Sequence, residues 1–149
     1  PALTGDQFAA VIDKLREYAA ILILDFGADE SAMVTHPAYD TLDTVIMVTS
    51  TERDSIKAAN GRMRAMHDHS SWLTSNMTVV INHRTQAQTT VDLDAEVKLI
   101  QGRGMSVLEA QFDPHVGEAR AIKLGLCDSA TARQMVRLAA MVVAKLPKT

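Results

Sequence analysis

One cysteine, Cys127, stands in 149 residues, so no internal disulfide can form and nothing marks an oxidising compartment. Aromatic residues make up only 4% of the chain, with one tryptophan, two tyrosines and three phenylalanines. Packing therefore falls to aliphatic side chains and to eight methionines. Most of these methionines sit at helical spacing, where flexible thioethers fill gaps between helix and sheet. An excess of positive charge is also missing. A formal charge of −3 and a pI near 5.9 give no field to gather nucleic acid or anionic lipid, so no nucleic-acid partner is expected for the chain by itself. Apolar runs fall far below the roughly 18 to 20 residues that span a bilayer, and no charged n-region followed by an apolar h-region opens the chain. The expectation is a cytoplasmic protein without stable membrane insertion. The apolar stripe of the last helix is assigned to the sheet rather than to a membrane surface. Pro1 fits either a removed initiator methionine or the boundary of a fragment.

What is present is one globular composition, 47% hydrophobic and 22% charged, long enough for a single α/β domain spanning 1–149. Phe8, Val11, Ile12 and Leu15 recur on one face, which predicts an amphipathic helix from Thr4 to Tyr18. Ala20 to Leu24 is apolar on both faces, the pattern of a central parallel strand, and a short helix is expected before Pro37. Thr44 to Val48 reads as the next buried strand, followed by a helix entered at Thr49 to Glu52 with Ile56, Ala59, Met63 and Met66 inward. Met77 to Asn82 is a third strand. Val91 to Ile100 is a helix stopped by Gly102 or Gly104. Val107 to Phe112 is a fourth strand, less apolar and so nearer an edge. Asp128 to Leu146 closes the chain as a helix with Met135, Leu138, Ala139, Val142 and Leu146 on its inner stripe.

Strands alternating with helices at this spacing imply βαβ units. The expected fold is α/β, a three-layer, mostly parallel, doubly wound sheet with helices on both faces. Function in such sheets gathers at the carboxyl ends of the strands. Those ends are Asp25-Phe26-Gly27, Thr49-Ser50, Asn82-His83-Arg84 and Asp113-Pro114-His115. Asp25 has two readings, a carboxylate holding magnesium through water beside a phosphate, or a side chain that closes a turn. At the third strand end an amide and a guanidinium suit a base edge or a phosphate, and equally suit an ordinary polar loop. His67 and His69 lie two apart on a helix and point in different directions, so even with His36 and His115 they make a poor zinc site. Ser70 and Ser71 lack the glycine-flanked elbow of a hydrolase serine. Cys127 at a helix entry is either a thiol of lowered pKa or a small capping residue.

Taken in order, the phrases YAAILILDFG, HPAYDTLDTVIMVTST, MTVVINHR, VDLDAEVKLIQGRGMSVLEAQFDPHV and VRLAAMVVAKLP resemble the C-terminal half of a MinD/ParA-type P-loop ATPase. The likeness is to the actinobacterial MinD-like proteins associated with chromosome partitioning and type VII secretion, and it runs over essentially the whole chain. It implies ATP and magnesium as cofactors and a homodimer or larger protein assembly as the working form. It matches Asp25 with the Walker B-like catalytic aspartate that supports magnesium through water. Thr49 and Ser50 fall beside the phosphates. Asn82, with Arg84, falls where the family contacts adenine, and Phe112 to Val116, with Asp113 and Pro114, falls on the segment lining the base. Phe26-Gly27-Ala28-Asp29 departs from the family's switch.

A larger departure is that no G-x-x-x-x-G-K-[ST] phosphate loop occurs in the 149 residues. Without its backbone amides and lysine a triphosphate is not neutralised, and Asp25 would repel it. Asp25 is accordingly read as a remnant. The favoured function is a non-catalytic interaction or regulatory domain, or a fragment of a longer ATPase. One alternative is an ATPase completed by upstream residues or by a partner. A second is a small-molecule enzyme using the strand-end cleft, with His83, His115 and Asp113 as acid/base groups. In the family the P-loop strand lies centrally beside the Walker B strand, so the resemblance implies two unpaired inner edges where it is missing, and the run ILILD is expected to pair with TVIMV or a second copy to fill the gap.

Overall fold

The computed structural model describes residues 5–27, 41–86, 91–117 and 121–147. Contacts divide the chain into two compact units, Pro1–Leu42 and Asp43–Thr149. The short helix expected before Pro37, the switch residues Ala28 and Asp29, and His36 lie outside the described residues.

In the first unit α1 runs from Gly5 to Arg16, with Asp6 in its first turn and Lys14 and Arg16 in its last, the polarity that suits the helix dipole. Ile12 is its buried apolar residue, while Val11 and Leu15 on neighbouring positions stay largely exposed. The Arg16 guanidinium donates to the Thr41 carbonyl at 2.6 Å within the same unit. Beyond the helix, residues 21–25 belong to no strand of the sheet. The strand expected over Ala20 to Leu24 is therefore not formed, and the run ILILD does not pair with TVIMV. Its accessibility alternates, with Ile21, Ile23 and Asp25 exposed and Leu22 and Leu24 half-buried. Period-two accessibility describes an extended segment, but a strand exists only when a neighbour supplies the partners for its amides and carbonyls.

The second unit holds a three-stranded parallel sheet in the order β1-β2-β3, with β1 at Val45–Ser50, β2 at Met77–Asn82 and β3 at Ser106–Ala110. Helix α2, Arg53–His69, and the short α3, Ser71–Ser75, join β1 to β2. Helix α4, Leu93–Gly102, precedes β3. A single turn, α5 at Pro114–Gly117, and a 3-10 turn at Leu124–Leu126 lead to α6, Ser129–Val143. This is an α/β unit with an open parallel sheet.

The core is centred on β2. Met77 and Val79 are 0% exposed and Ile81 is 1%, against Ile56, Ala59, Met63 and Met66 of α2, Ile100 of α4 and Leu108 of β3 in the same buried set. Each of the larger of these side chains contributes about 1.5 to 3 kcal/mol on burial. The inward face anticipated for the second helix is thus the buried one. Both outer strands are less covered. Along β1, Met47 is buried while Ile46 and Val48 are 42% and 59% exposed. Helix α6 departs from its expected stripe: Thr131 is its buried residue, Leu138 and Val142 are half-buried, and Met135, Val136 and Ala139 are exposed. Its carboxyl end is tied down differently, by Lys145 Nζ donating to the carbonyls of Ser75 at 3.2 Å and Met77 at 3.1 Å.

Candidate functional site

Parallel register brings the strand carboxyl ends level. Ser50 pairs with Asn82, and Asn82 with Ala110, so three chain segments leave the sheet along one edge roughly 10 Å wide, two strand spacings. Thr49 and Ser50 are buried there, and the Ser50 hydroxyl accepts the Glu52 amide at 3.4 Å at the entry to α2. Glu52, the N-cap residue of α2, makes no side-chain capping bond of its own. Asn82 is half-buried in the middle strand, and the His83 amide continues the ladder by donating to the Ala110 carbonyl at 2.8 Å.

Two side-chain pairs flank this edge. His83 Nε2 is buried and makes no hydrogen bond among the described residues, with Glu109 Oε2 standing 3.5 Å away. Arg84 Nη1 lies 3.8 Å from Glu52 Oε1, and both side chains are about two-thirds exposed. A pair so exposed contributes little to stability. It does join the segment leaving β2 to the segment leaving β1.

Asp113 is the most committed side chain at this edge. It is 4% exposed. Its Oδ1 accepts the amides of His115 at 2.8 Å and Val116 at 3.4 Å, and its Oδ2 accepts the Asp128 amide at 2.8 Å, with the Thr131 hydroxyl adding a further bond. Burial by itself would raise this carboxyl. The Asp128 amide, the Thr131 hydroxyl and the amides of His115 and Val116 outweigh it and hold the group below the ordinary carboxylate value. One carboxylate thereby anchors α5 and the start of α6 to the end of β3. His115 is occupied as well, because its Nε2 accepts the Lys123 amide at 3.1 Å. As an acceptor, that nitrogen carries no proton, which leaves the proton of the neutral ring on Nδ1. Pro114 opens the α5 turn and is exposed.

Cys127 lies just before α6, where a lowered pKa was one expectation. Burial and the neighbouring carboxylates of Asp113 and Asp128 instead push its thiol up. Asp25 lies in the first unit, exposed, with its Oδ1 accepting the Gly27 amide at 2.8 Å. Gly27 there has φ of 66°. This is an Asx turn of the kind in which a short acceptor closes on the amide two residues ahead. The geometry is that of an aspartate closing a turn.

Among the described residues no three of histidine, cysteine, aspartate and glutamate gather closely enough to hold a metal ion. Nor is any described helix long and apolar enough to cross a membrane. Comparison of the chain with protein families, with curated proteins and with solved structures gives no match.

The reach of Asp113 to Asp128 and Thr131 was not anticipated from the sequence. The signal was available in part, since D-P-H places an acceptor two residues before a free amide. Its bond to a residue fifteen positions later is a tertiary fact.

Proposed function

We propose that this chain is a MinD/ParA-like domain without a phosphate loop, and that it acts through protein contacts rather than by hydrolysing ATP. The observation that carries the reading is β1. Its outer edge pairs with no strand among the described residues, and Ile46 and Val48 beside that edge remain exposed. Unpaired amides and carbonyls flanked by β-branched side chains form a template for another strand. A second copy is the natural occupant, since two β1 strands meeting across a two-fold axis would continue the sheet and satisfy both edges. Parallel register sets the ends of β1 and β2 level, with Thr49, Ser50 and Asn82 along them and Arg84 just beyond, which supports reading this edge as the counterpart of the family's nucleotide edge. The backbone amides and lysine of a phosphate loop are not among the 149 residues, so a role in partitioning or secretion would be a regulatory or assembly role. Cytoplasmic placement follows from the same reading.

The small-molecule enzyme reading retains one acid/base group of its three. The acceptor atoms of Asp113 and His115 are taken by backbone amides, which leaves His83 facing Glu109.

Light scattering over a range of protein concentrations tests the dimer. The wild-type chain is expected to run at twice 16.2 kDa. Val48→Lys, an exposed position where substitution changes folding by only about 0.5 kcal/mol, is expected to return it to the monomer mass. A wild-type chain that stays monomeric at every concentration rejects the assembly.

A further inference from the structure

A cavity of about 280 Å³ opens on the opposite end of the sheet, lined by Met63, Arg64, His67, Thr74, Arg103 and Met105. Met63, Arg64 and His67 come from the last turns of α2, Thr74 from α3 just before β2, and Arg103 and Met105 from the turn before β3. The two methionines are buried and form an apolar floor. Arginines from two different elements stand at the rim. Among the described residues no carboxylate pairs with either guanidinium: Arg103 Nη1 donates to Asn60 Oδ1 at 3.2 Å, and Asn60 in turn bonds Glu96 at 3.3 Å.

The protons at the site are also assigned. The Thr74 hydroxyl has one hydrogen and donates it to the Ser71 carbonyl at 2.8 Å. Its contact with His67 Nδ1 at 3.0 Å must therefore be donated by the ring. His67 Nδ1 keeps its proton, and Nε2 is the nitrogen left for a ligand.

The helix carboxyl ends that meet here carry negative partial charge, which the two full guanidinium charges outweigh. The site thus presents two guanidinium groups, neither paired with a carboxylate among the described residues, above an apolar floor. Its volume takes about nine water-sized atoms at about 30 Å³ each. The guanidinium fork suits a planar oxyanion.

We infer that this cavity binds a small organic monoanion, a carboxylate on a short apolar body. Arg64 and Arg103 hold the carboxylate and Met63 and Met105 receive the apolar part. The inference is independent of the MinD/ParA-like reading, because the site lies at the other end of the strands and uses none of its residues.

Benzoate, with nine heavy atoms, is the probe, titrated into the full chain and followed by amide chemical shifts. The same titration is run with benzamide, which keeps the shape without the charge, and with inorganic phosphate, which keeps charge without the apolar body. Benzoate is expected to shift the amides of Met63, His67, Thr74 and Met105 saturably and to bind at least tenfold more tightly than either comparison compound. Arg64→Gln and Arg103→Gln, both at exposed positions, are each expected to weaken benzoate about tenfold or more, as loss of a charged hydrogen bond does. Lys98→Gln, which removes an exposed charge from α4 outside the cavity, should leave its affinity within twofold. The inference is overturned if benzoate leaves those amides unmoved, if benzamide or phosphate binds equally well, or if Lys98→Gln weakens benzoate as much as the arginine variants do.

Discussion

Asp113 carries more of the strand-end geometry than any other side chain, since one carboxylate receives four donors from two segments, the α5 turn and the start of α6. Its lowered pKa fixes the sign of a pH effect. Below the ordinary value of 3.8 the unfolded chain takes up a proton at this group while the folded chain does not. Stability from Asp113 is therefore complete above that value and is lost as pH falls through it toward the lowered one. Urea midpoints measured from pH 6 to pH 2 should decline through that acid window, and Asp113→Asn should both lower the midpoint at pH 6 and flatten the decline. An unchanged acid limb in the variant would show that other carboxylates set it. Thr78 makes the opposite case. It is 0% exposed, and its hydroxyl has no hydrogen-bond partner among the described residues. Thr78→Val removes an orphaned polar atom and is expected to gain about 1 kcal/mol, read as a raised urea midpoint. A loss of stability would mean that the hydroxyl is satisfied in solution.

At the scale of elements, two neighbouring glycines predict opposite outcomes. Gly102 is the last residue of α4, with no steric neighbour for an added Cβ. Gly104, also in open space, has φ of 85° and donates its amide to the Gln101 carbonyl at 2.9 Å, the left-handed residue that ends the helix. Gly104→Ala should cost about 1 to 2 kcal/mol through backbone strain. Gly102→Ala should be neutral or gain about 0.5 to 1 kcal/mol. Thermal unfolding of the pair checks both signs, and a destabilised Gly102→Ala beside an unaffected Gly104→Ala would reverse the assignment. The sequence left both glycines as stop signals, because φ is not visible in a G-R-G pattern.

Other elements were legible to different degrees for related reasons. MTVVIN was read to its residue bounds, since a buried run between turn formers has one interpretation. The buried face of α2 was legible because four apolar residues recur at helical spacing. ILIL was misread because a run apolar on both faces describes an extended segment with or without a neighbour, and pairing is decided by the rest of the fold. The strand-end edge was half legible. Its members are written at the ends of apolar runs, but the role of Asp113 as an anchor depends on Asp128 and Thr131, which only folding brings to it.

For the whole molecule, the proposal rests on the unpaired outer edge of β1 with its exposed Ile46 and Val48, and on the absence of a phosphate-loop motif in these 149 residues. Isothermal titration of ATP with magnesium into the 149-residue chain tests it most directly. No saturable heat is expected, because Asp25 is engaged with Gly27 and the 149 residues hold no phosphate-loop motif to offer amides and a lysine to a triphosphate. Saturable ATP binding that Asn82→Ala or Asp25→Ala abolishes, accompanied by phosphate release, would contradict it and make the strand ends a working nucleotide site.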